Sequence, residues 1–144
     1  MSLAVTPRER WTDADALAAA ALALSPEANG GLVIGTATPE ALAPHLKASA
    51  DPAWLVQDGP RALLVTGSPN PTQPEQRFLH FSNAGFGVFR VAQVLRAFIA
   101  RHPAQWCALV TRPELNVMFR HLDFHPVART EDVHLFMRSE SRPA

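Results

Sequence analysis

The sequence predicts a mixed α+β fold, and three observations support this class. Two apolar runs joined by Asp58-Gly59 predict a β-hairpin. Between Phe78 and Val110 a strand-like run, a glycine turn, a long amphipathic segment and a second apolar run predict a strand–helix–strand unit. Two further strand-like runs near the end of the chain predict a second hairpin. Antiparallel hairpins beside a strand–helix–strand unit are typical of an α+β domain.

Composition restricts the possible classes of protein. The chain has 144 residues, enough for one domain with a single core. Basic and acidic residues both number 13, which disfavours a nucleic-acid-binding protein because such proteins usually carry a basic excess. One cysteine allows no internal disulfide, and no apolar run approaches the ~20 residues of a membrane span. We therefore expect a cytoplasmic protein with no nucleic-acid or membrane partner. It should form one domain over residues 1–138, with a disordered tail at 139–144.

The first half of the chain is predicted to contain two helices and three short strands. The first helix should run from Asp13 to about Leu24 behind Thr12 as N-cap, and the second should follow Thr38-Pro39 and end near Ser49. The predicted strands are Leu3–Thr6, Ala53–Gln57 and Arg61–Thr66. The run Leu32–Ile34 fits a strand or a helical turn equally well. A proline-rich loop is expected over Ser68–Glu75.

The second half is predicted to contain four strands and two helices. The helices should run from about Val88 to about His102 and from Pro113 to about Leu122. The predicted strands are Phe78–Phe81, Trp106–Val110, Phe124–Arg129 and Val133–Met137. Because Trp106–Val110 is continuously apolar, we expect this strand to be buried on both faces.

The turn Ser82–Gly87 is the first candidate for a binding site. A strand that passes through Gly85-Phe86-Gly87 into a helix brings backbone N–H groups and the positive end of the helix together. This arrangement binds phosphate groups well. A lone Gly-x-Gly is also compatible with an ordinary strand-to-helix turn.

The order of elements and two motifs resemble the GNAT N-acetyltransferase family. The segment Ser82–Gly87 is similar to that family's acetyl-CoA signature, [Gln/Arg]-x-x-Gly-x-[Gly/Ala], and Met118–Phe124 is similar to its Leu-Tyr-x-x-x-Gly-Phe motif. The resemblance implies a GNAT-like fold, with a central, mostly antiparallel sheet of about six to seven strands flanked by about four helices. It also implies that acetyl-CoA, or another acyl-CoA, is the cofactor. The cofactor-binding residues it implies are Phe81, Ser82, Asn83, Ala84, Gly85, Phe86, Gly87, Val88 and Arg112.

The activity implied by the resemblance is transfer of an acyl group to an amine by direct attack. The acceptor would be a small-molecule or peptide amine. Ser82 stands where the family has Gln or Arg, and Asp123 replaces the motif glycine. Phe119 occupies the position of the tyrosine that often reprotonates the CoA thiolate, and the chain contains no tyrosine. These departures leave a second hypothesis open: a GNAT-like fold without catalysis that acts as a binding or virion-associated module. The run Trp54–Pro69 also loosely resembles small acyltransferase-like proteins of bacteriophages.

His80 is the candidate general base because its imidazole titrates near neutral pH and it lies on the strand beside the glycine turn. The alternative is a histidine that only satisfies hydrogen bonds within the sheet. Glu75 and Asp58 are further candidates, and both fit solvated loop carboxylates. Cys107 lies in an apolar strand and is expected to be a core residue and not a nucleophile.

Two other sets of residues are candidates for binding, one for a metal ion and one for a second copy of the chain. His121, His125 and His134 lack the spacing of a metal site, so we expect no metal. The aromatic residues Phe86, Phe89 and Trp54 fit either a homodimer contact or the core.

Overall fold

The computed structural model describes residues 3–30 and 37–138. Within these ranges it contains seven β-strands and five α-helices, with two short 3-10 turns at Arg8–Arg10 and Pro113–Leu115. The strands are β1 (Ala4–Pro7), β2 (Ala53–Asp58), β3 (Arg61–Asn70), β4 (Gln73–Ala84), β5 (Gln105–Val110), β6 (Phe124–Arg129) and β7 (His134–Arg138). The helices are α1 (Asp13–Leu24), α2 (Pro26–Asn29), α3 (Pro39–Ala48), α4 (Val88–Arg101) and α5 (Asn116–His121).

All seven strands form one sheet in the order β1-β2-β3-β4-β5-β7-β6. Neighbouring strands are antiparallel except β4 and β5, which are parallel and are joined through helix α4. A parallel pair needs such a crossover, whereas antiparallel pairs can be joined by tight turns. The mixed α+β class and the mostly antiparallel sheet are therefore confirmed.

Local capping explains why the predicted starts of α1 and α3 are correct. Thr12 accepts a hydrogen bond from the N–H of Asp15, whose carboxylate accepts one from the N–H of Thr12, a reciprocal capping box at the start of α1. The Thr38 hydroxyl caps α3 by accepting a hydrogen bond from the N–H of Ala41, without the reciprocal bond, and Pro39 lies in the first turn.

The predicted start at Pro113 is wrong, because Pro113–Leu115 forms a 3-10 turn and α5 begins only at Asn116. The short helix α2 was not predicted. The run 32–34 and the tail 139–144 lie outside the described residues.

Two hydrophobic clusters lie on opposite faces of the sheet. Helices α4 and α5 cover one face, where Leu95, Phe98 and Trp106 are buried. Helices α1, α2 and α3 cover the other face, over β2, β3 and β4. The longest helix, α4, has 14 residues. Within residues 3–30 and 37–138, no helix is both long and apolar enough to cross a membrane.

The prediction that the Trp106–Val110 strand is buried on both faces is wrong at Leu109, which is 53% exposed. Trp106, Ala108 and Val110 face the cluster beneath α4. Leu109 alternates to the opposite face, where the described part of the α1–α3 layer packs over β2, β3 and β4 and leaves Leu109 uncovered. A continuous apolar run therefore does not require a covered strand.

The predicted loop at Ser68–Glu75 is also wrong, because β3 and β4 continue as a two-stranded ribbon that turns at Pro71 and Thr72. The pairing of β2 with β3 ends at Thr66, and β5 meets β4 only from Gln76 onward. Pro69 and Pro74 therefore lie where no outer strand requires their missing N–H groups, a position in which proline is tolerated.

We predict that Gly67→Ala lowers the free energy of unfolding by about 1–3 kcal/mol because it overpacks the core. A Cβ on Gly67 would lie 2.6 Å from Cη2 and 2.9 Å from Cζ3 of the buried Trp106 ring. Trp106→Phe removes those two ring carbons, so the cost of Gly67→Ala should fall in that background. Chemical denaturation of the wild type, both single variants and the double variant measures the coupling. Equal costs in the two backgrounds would contradict this packing.

Candidate functional site

Strands β4 and β5 pair over only a short segment. Gln76–Phe78 pairs with Gln105–Cys107, and beyond that point the two strands share no pairing. Strand β4 continues to Ala84 paired only with β3, and β5 continues to Val110 paired only with β7. Among the described residues, the backbone groups on the facing edges therefore have no strand partner, which leaves them available to a ligand. Ligands of parallel strands commonly bind beyond the carboxyl ends of the strands.

A turn at Gly85 connects the end of β4 to helix α4. Gly85 has φ +96°, a conformation that favours glycine, and a Cβ there would lie 3.1 Å from Cγ of Arg61. Asn83 holds the turn with two hydrogen bonds. Its Nδ2 donates to the carbonyl oxygen of Phe86 at 2.8 Å, and its Oδ1 accepts from the N–H of Phe86 at 3.1 Å. The Asn83 side chain is thus a structural brace of the turn, and the Phe86 N–H is already occupied.

Helix α4 begins without a side-chain cap. Gly87 is the N-cap and has no side chain to offer, and the first helical bond runs from the N–H of Val91 to the carbonyl of Gly87. Among the described residues no acceptor is present for the N–H groups of Val88, Phe89 and Arg90, which point out of the first turn. Together with the helix dipole, these donors form an anion-binding surface.

The residues of this turn fit a phosphate-bearing cofactor. Gly87 has φ −73°, which any residue adopts, and a Cβ there would meet nothing within 4 Å. Steric contacts with the described residues therefore do not require glycine at this position. The absence of a side chain keeps the space in front of the free N–H groups open, as close approach of a phosphate requires.

The structure brings only part of the predicted cofactor set together. The predicted turn Ser82–Gly87 is shorter, because Ser82, Asn83 and Ala84 belong to β4. Ser82 is 7% exposed and alternates with Leu79 and Phe81, so its side chain faces the α1–α3 layer. The predicted turn began too early because Ser82 and Asn83 are polar, and polar residues occur both in turns and at the ends of strands.

Arg112, also predicted to bind the cofactor, follows the end of β5 and is half-buried. A Cβ on Gly30 would lie 3.9 Å from Nε of Arg112, so its guanidinium lies beside the C-terminal end of α2. Helix α2 in turn packs against β4.

His80 lies on β4, on the face opposite α4, and its Nε2 is 3.1 Å from Oγ of Ser68 on the neighbouring strand. The ring of Phe78 lies on the same face, with the ring centroids 6.4 Å apart. Desolvation by neighbouring groups lowers the pKa of His80 below its ordinary 6.5 because it disfavours the charged imidazolium. A lowered pKa keeps the imidazole neutral at neutral pH, which is the form a general base needs.

Phe119 is buried in an aromatic cluster at the floor of the site. Its ring centroid lies 5.3 Å from that of Phe124, 6.0 Å from Phe136 and 6.4 Å from Phe81. Phe81 belongs to the part of β4 that has left β5, so this cluster lies next to the opening. Phe119 has no group that can donate a proton to a leaving thiolate.

Asp123 follows α5 with φ +68°, and among the described residues it is the one non-glycine with positive φ. The glycine expected here from the motif would suit this conformation, and aspartate is among the residues that tolerate it. Its carboxylate lies 3.8 Å from the guanidinium of Arg138. The departure from the motif is therefore accommodated by the backbone.

The remaining predicted candidates are placed away from the opening or in the core. Cys107 is buried, and burial raises the pKa of its thiol, as expected of a core residue. Glu75 is exposed on the β3–β4 ribbon, and Asp58 lies at the β2–β3 turn. Among the described residues no group of three or more His, Cys, Asp or Glu could hold a metal ion.

The three aromatic residues that fit either a dimer contact or the core differ in their exposure. Phe86 is buried, and Trp54 packs edge-on against Phe98 at 5.2 Å. Phe89 is 87% exposed.

Solved structures share this architecture over almost the whole chain. A chimera of spermidine N-acetyltransferase SpeG from Vibrio cholerae and hSSAT matches with 14% identity and a TM-score of 0.60, covering 96% of each chain. A GNAT-family acetyltransferase from Streptococcus pneumoniae matches with 15% identity and a TM-score of 0.61, covering 96% of this chain and 100% of that one. The protein has the GNAT fold. No family model and no curated protein matches the sequence. The looser resemblance to bacteriophage proteins gains no support from these matches.

We predict that alanine substitutions at Gly85 and Gly87, in the turn between β4 and α4, differ in their effect on stability. Gly85→Ala should lower the free energy of unfolding by about 1–2 kcal/mol, because an alanine is strained at positive φ. Gly87→Ala should change it by less than about 0.5 kcal/mol, because a poorer N-cap and a stiffer unfolded chain act in opposite directions. Urea denaturation of both variants checks this, and equal losses of stability would contradict it.

Proposed function

We propose that the protein is an N-acyltransferase that transfers an acyl group from acetyl-CoA, or another acyl-CoA, to an amine. The observation that carries the proposal is the continuity of two binding surfaces. The unpaired edge of β4 leads through the Gly85–Gly87 turn to the free N–H groups at the start of α4. The first surface suits an extended chain with amide groups, and the second suits a pyrophosphate.

The proposed cofactor contacts follow from these surfaces. The N–H groups of Val88, Phe89 and Arg90 would hold the pyrophosphate, with Gly87 leaving room for it. The backbone of Phe81–Ala84 would line the extended part of the cofactor. Arg112 remains a proposed contact from the far side of the opening.

The acyl-CoA thioester supplies an activated acyl group. A backbone N–H on the free edge of β4 would polarise the acyl carbonyl, since a fixed dipole next to a developing oxyanion lowers the barrier. The amine nitrogen would form an amide bond with the acyl carbon while the thioester C–S bond breaks, and His80 would accept the proton of the amine, directly or through a water. CoA would leave as a thiolate that takes its proton from solvent. The chain thus mainly positions the reacting groups, which can account for a large part of the rate enhancement.

The acceptor is proposed to be a small-molecule or peptide amine that approaches from the α1–α3 side of the sheet. Phe78 and His80 face that side, and the exposed Leu109 lies across the opening on β5. The matched SpeG protein is named for spermidine. A cytoplasmic location and a homodimer formed through Phe89 remain proposals, supported by the single cysteine and by the exposure of that ring.

A second candidate function is a binding module that keeps the fold without catalysis. Phe119 favours it, because the position that often carries a catalytic tyrosine is here part of a closed aromatic cluster. Under this alternative the protein binds the cofactor or a partner and turns nothing over.

Turnover distinguishes the two candidates. We expect release of free CoA thiol from acetyl-CoA in the presence of at least one amine from a panel of N-terminal peptides, lysine, polyamines and aryl-alkyl amines. Thiol titration follows the reaction. Binding of acetyl-CoA with no turnover across the panel, at several pH values, would favour the binding module.

We predict that His80→Gln lowers kcat by about 10²- to 10⁴-fold, the usual contribution of a general base. The affinity for acetyl-CoA should not change. In the wild type kcat/KM should fall as the pH drops through the lowered pKa of His80, below 6.5, because protonation removes the base. His80→Gln should lack this acid limb.

The matched control for this experiment is His45→Gln, which replaces an exposed histidine on α3. It should retain both the wild-type rate and the wild-type pH profile. An acid limb that persists in His80→Gln would assign the titration to another group and contradict the proposed role.

A further inference from the structure

A second polar cleft lies at the opposite end of α4 from the glycine turn. It has a volume of about 690 Å³ and is open to solvent. Its walls come from the Arg8–Arg10 turn, the end of α3, the segment before β2, the start of β4 and the end of α4. The charged residues that line it are Arg8, Glu9, Lys47, Asp51, Arg77 and Arg101.

Arg8 is the unusual member of this cleft because it is only 7% exposed. Its Nη1 donates to the carbonyl oxygen of Leu46 at 2.9 Å, and the guanidinium carbon lies 5.4 Å from the centre of the Trp11 ring. Its Nε is buried and has no hydrogen-bond acceptor within the described residues. A buried donor of a charged group without an acceptor is costly, so the burial of Arg8 is only partly compensated by its contacts with Leu46 and Trp11.

The ion pairs of the cleft leave two of its four cations unmatched. Lys47 pairs with Asp13 at 2.7 Å, and Arg77 pairs with Asp51 at 3.5 Å. Over residues 3–30 and 37–138, neither Arg8 nor Arg101 has a carboxylate within 4.0 Å.

One acidic group, Asp51, acts on Arg8 through its charge. Desolvation by burial lowers the pKa of Arg8, and the charge of Asp51 acts in the opposite direction. Glu9 also lines the cleft but makes no ion pair within the described ranges. With Asp13, which pairs with Lys47 from outside the lining, the four cations face three acids, an excess of one positive charge in a chain that is neutral as a whole.

We propose that this cleft is a binding site for an oxyanion, a phosphate or carboxylate group of a small molecule. Arginine presents planar, forked donors that match both groups, and a partly desolvated cleft strengthens such charge-assisted hydrogen bonds. Arg8 provides the fixed, buried cation at the base of the site. Arg101, which is exposed at the end of α4, contacts the ligand from the rim of the cleft.

This site is separate from the proposed cofactor site. The two lie at opposite ends of α4, whose 14 residues span about 21 Å. A small anion in the cleft and a cofactor at the N-terminus of α4 would therefore bind at the same time. The proposal does not depend on acyltransfer.

The test is calorimetric titration with inorganic phosphate and, separately, with citrate. Both are added at constant ionic strength, because screening would otherwise change with each addition. The titrations use a Gly87→Glu background, in which a glutamate blocks the anion-binding end of α4. We expect millimolar binding of at least one of the two anions, and the comparison between them distinguishes a phosphate site from a carboxylate site.

Arg101→Ala is the decisive variant, and Arg10→Ala is its matched control. Both residues are exposed, but Arg10 does not line the cleft. We expect Arg101→Ala to weaken binding about tenfold, which is about 1.4 kcal/mol, and Arg10→Ala to change it less than about twofold, since only Arg101 would donate a charge-assisted hydrogen bond to the anion. Arg8→Lys, which keeps the charge but loses the Nε donor, should also weaken binding. If Arg8→Lys does not fold, the comparison of Arg101→Ala with Arg10→Ala still tests the proposed site. No heat from either anion, or equal effects of the two alanine variants, would overturn the proposal.

Discussion

The separation of β4 from β5 is the constraint on which the candidate site depends. Parallel strands normally satisfy each other's backbone groups, but here the ladder ends at Phe78 and Cys107. The sheet remains intact because β3 stays paired with β4 as far as Ala84, and β7 stays paired with β5 as far as Val110. The opening is therefore held from both sides by complete ladders. No ligand is needed to hold β4 and β5 apart.

The turn after β4 places this open edge next to a helix N-terminus. Asn83 fixes the turn through the backbone of Phe86, and Gly85 supplies the positive φ that redirects the chain. Neither residue needs to touch a ligand to be important. Gly87, in contrast, is not required by the fold, and its value lies in the space it leaves in front of α4. The same helix ends at the arginine-lined cleft, so α4 separates two surfaces that both favour anions.

The parts of the fold and of the candidate site that depend on local signals could be predicted from the sequence. Thr12 and Thr38 mark helix starts through short-range capping, which any chain with those residues shows. The glycine turn was predicted because strand, glycine and helix follow each other directly. The early end of the β4–β5 ladder could not be predicted, because it depends on which strands lie outside the pair. The exposure of Leu109 and the burial of Arg8 likewise depend on layers contributed by distant segments.

Calorimetric titration with acetyl-CoA tests the central claim most directly, that the Gly85–Gly87 turn and the N-terminus of α4 form a phosphate site. The wild type should bind acetyl-CoA with micromolar affinity. Gly87→Glu should lose this binding, because its side chain fills the space that a Cβ at this position would enter and adds a negative charge there. Far-ultraviolet circular dichroism confirms that the variant is folded. No detectable heat with the wild type at several temperatures, or equal affinity of the two proteins, would contradict the account.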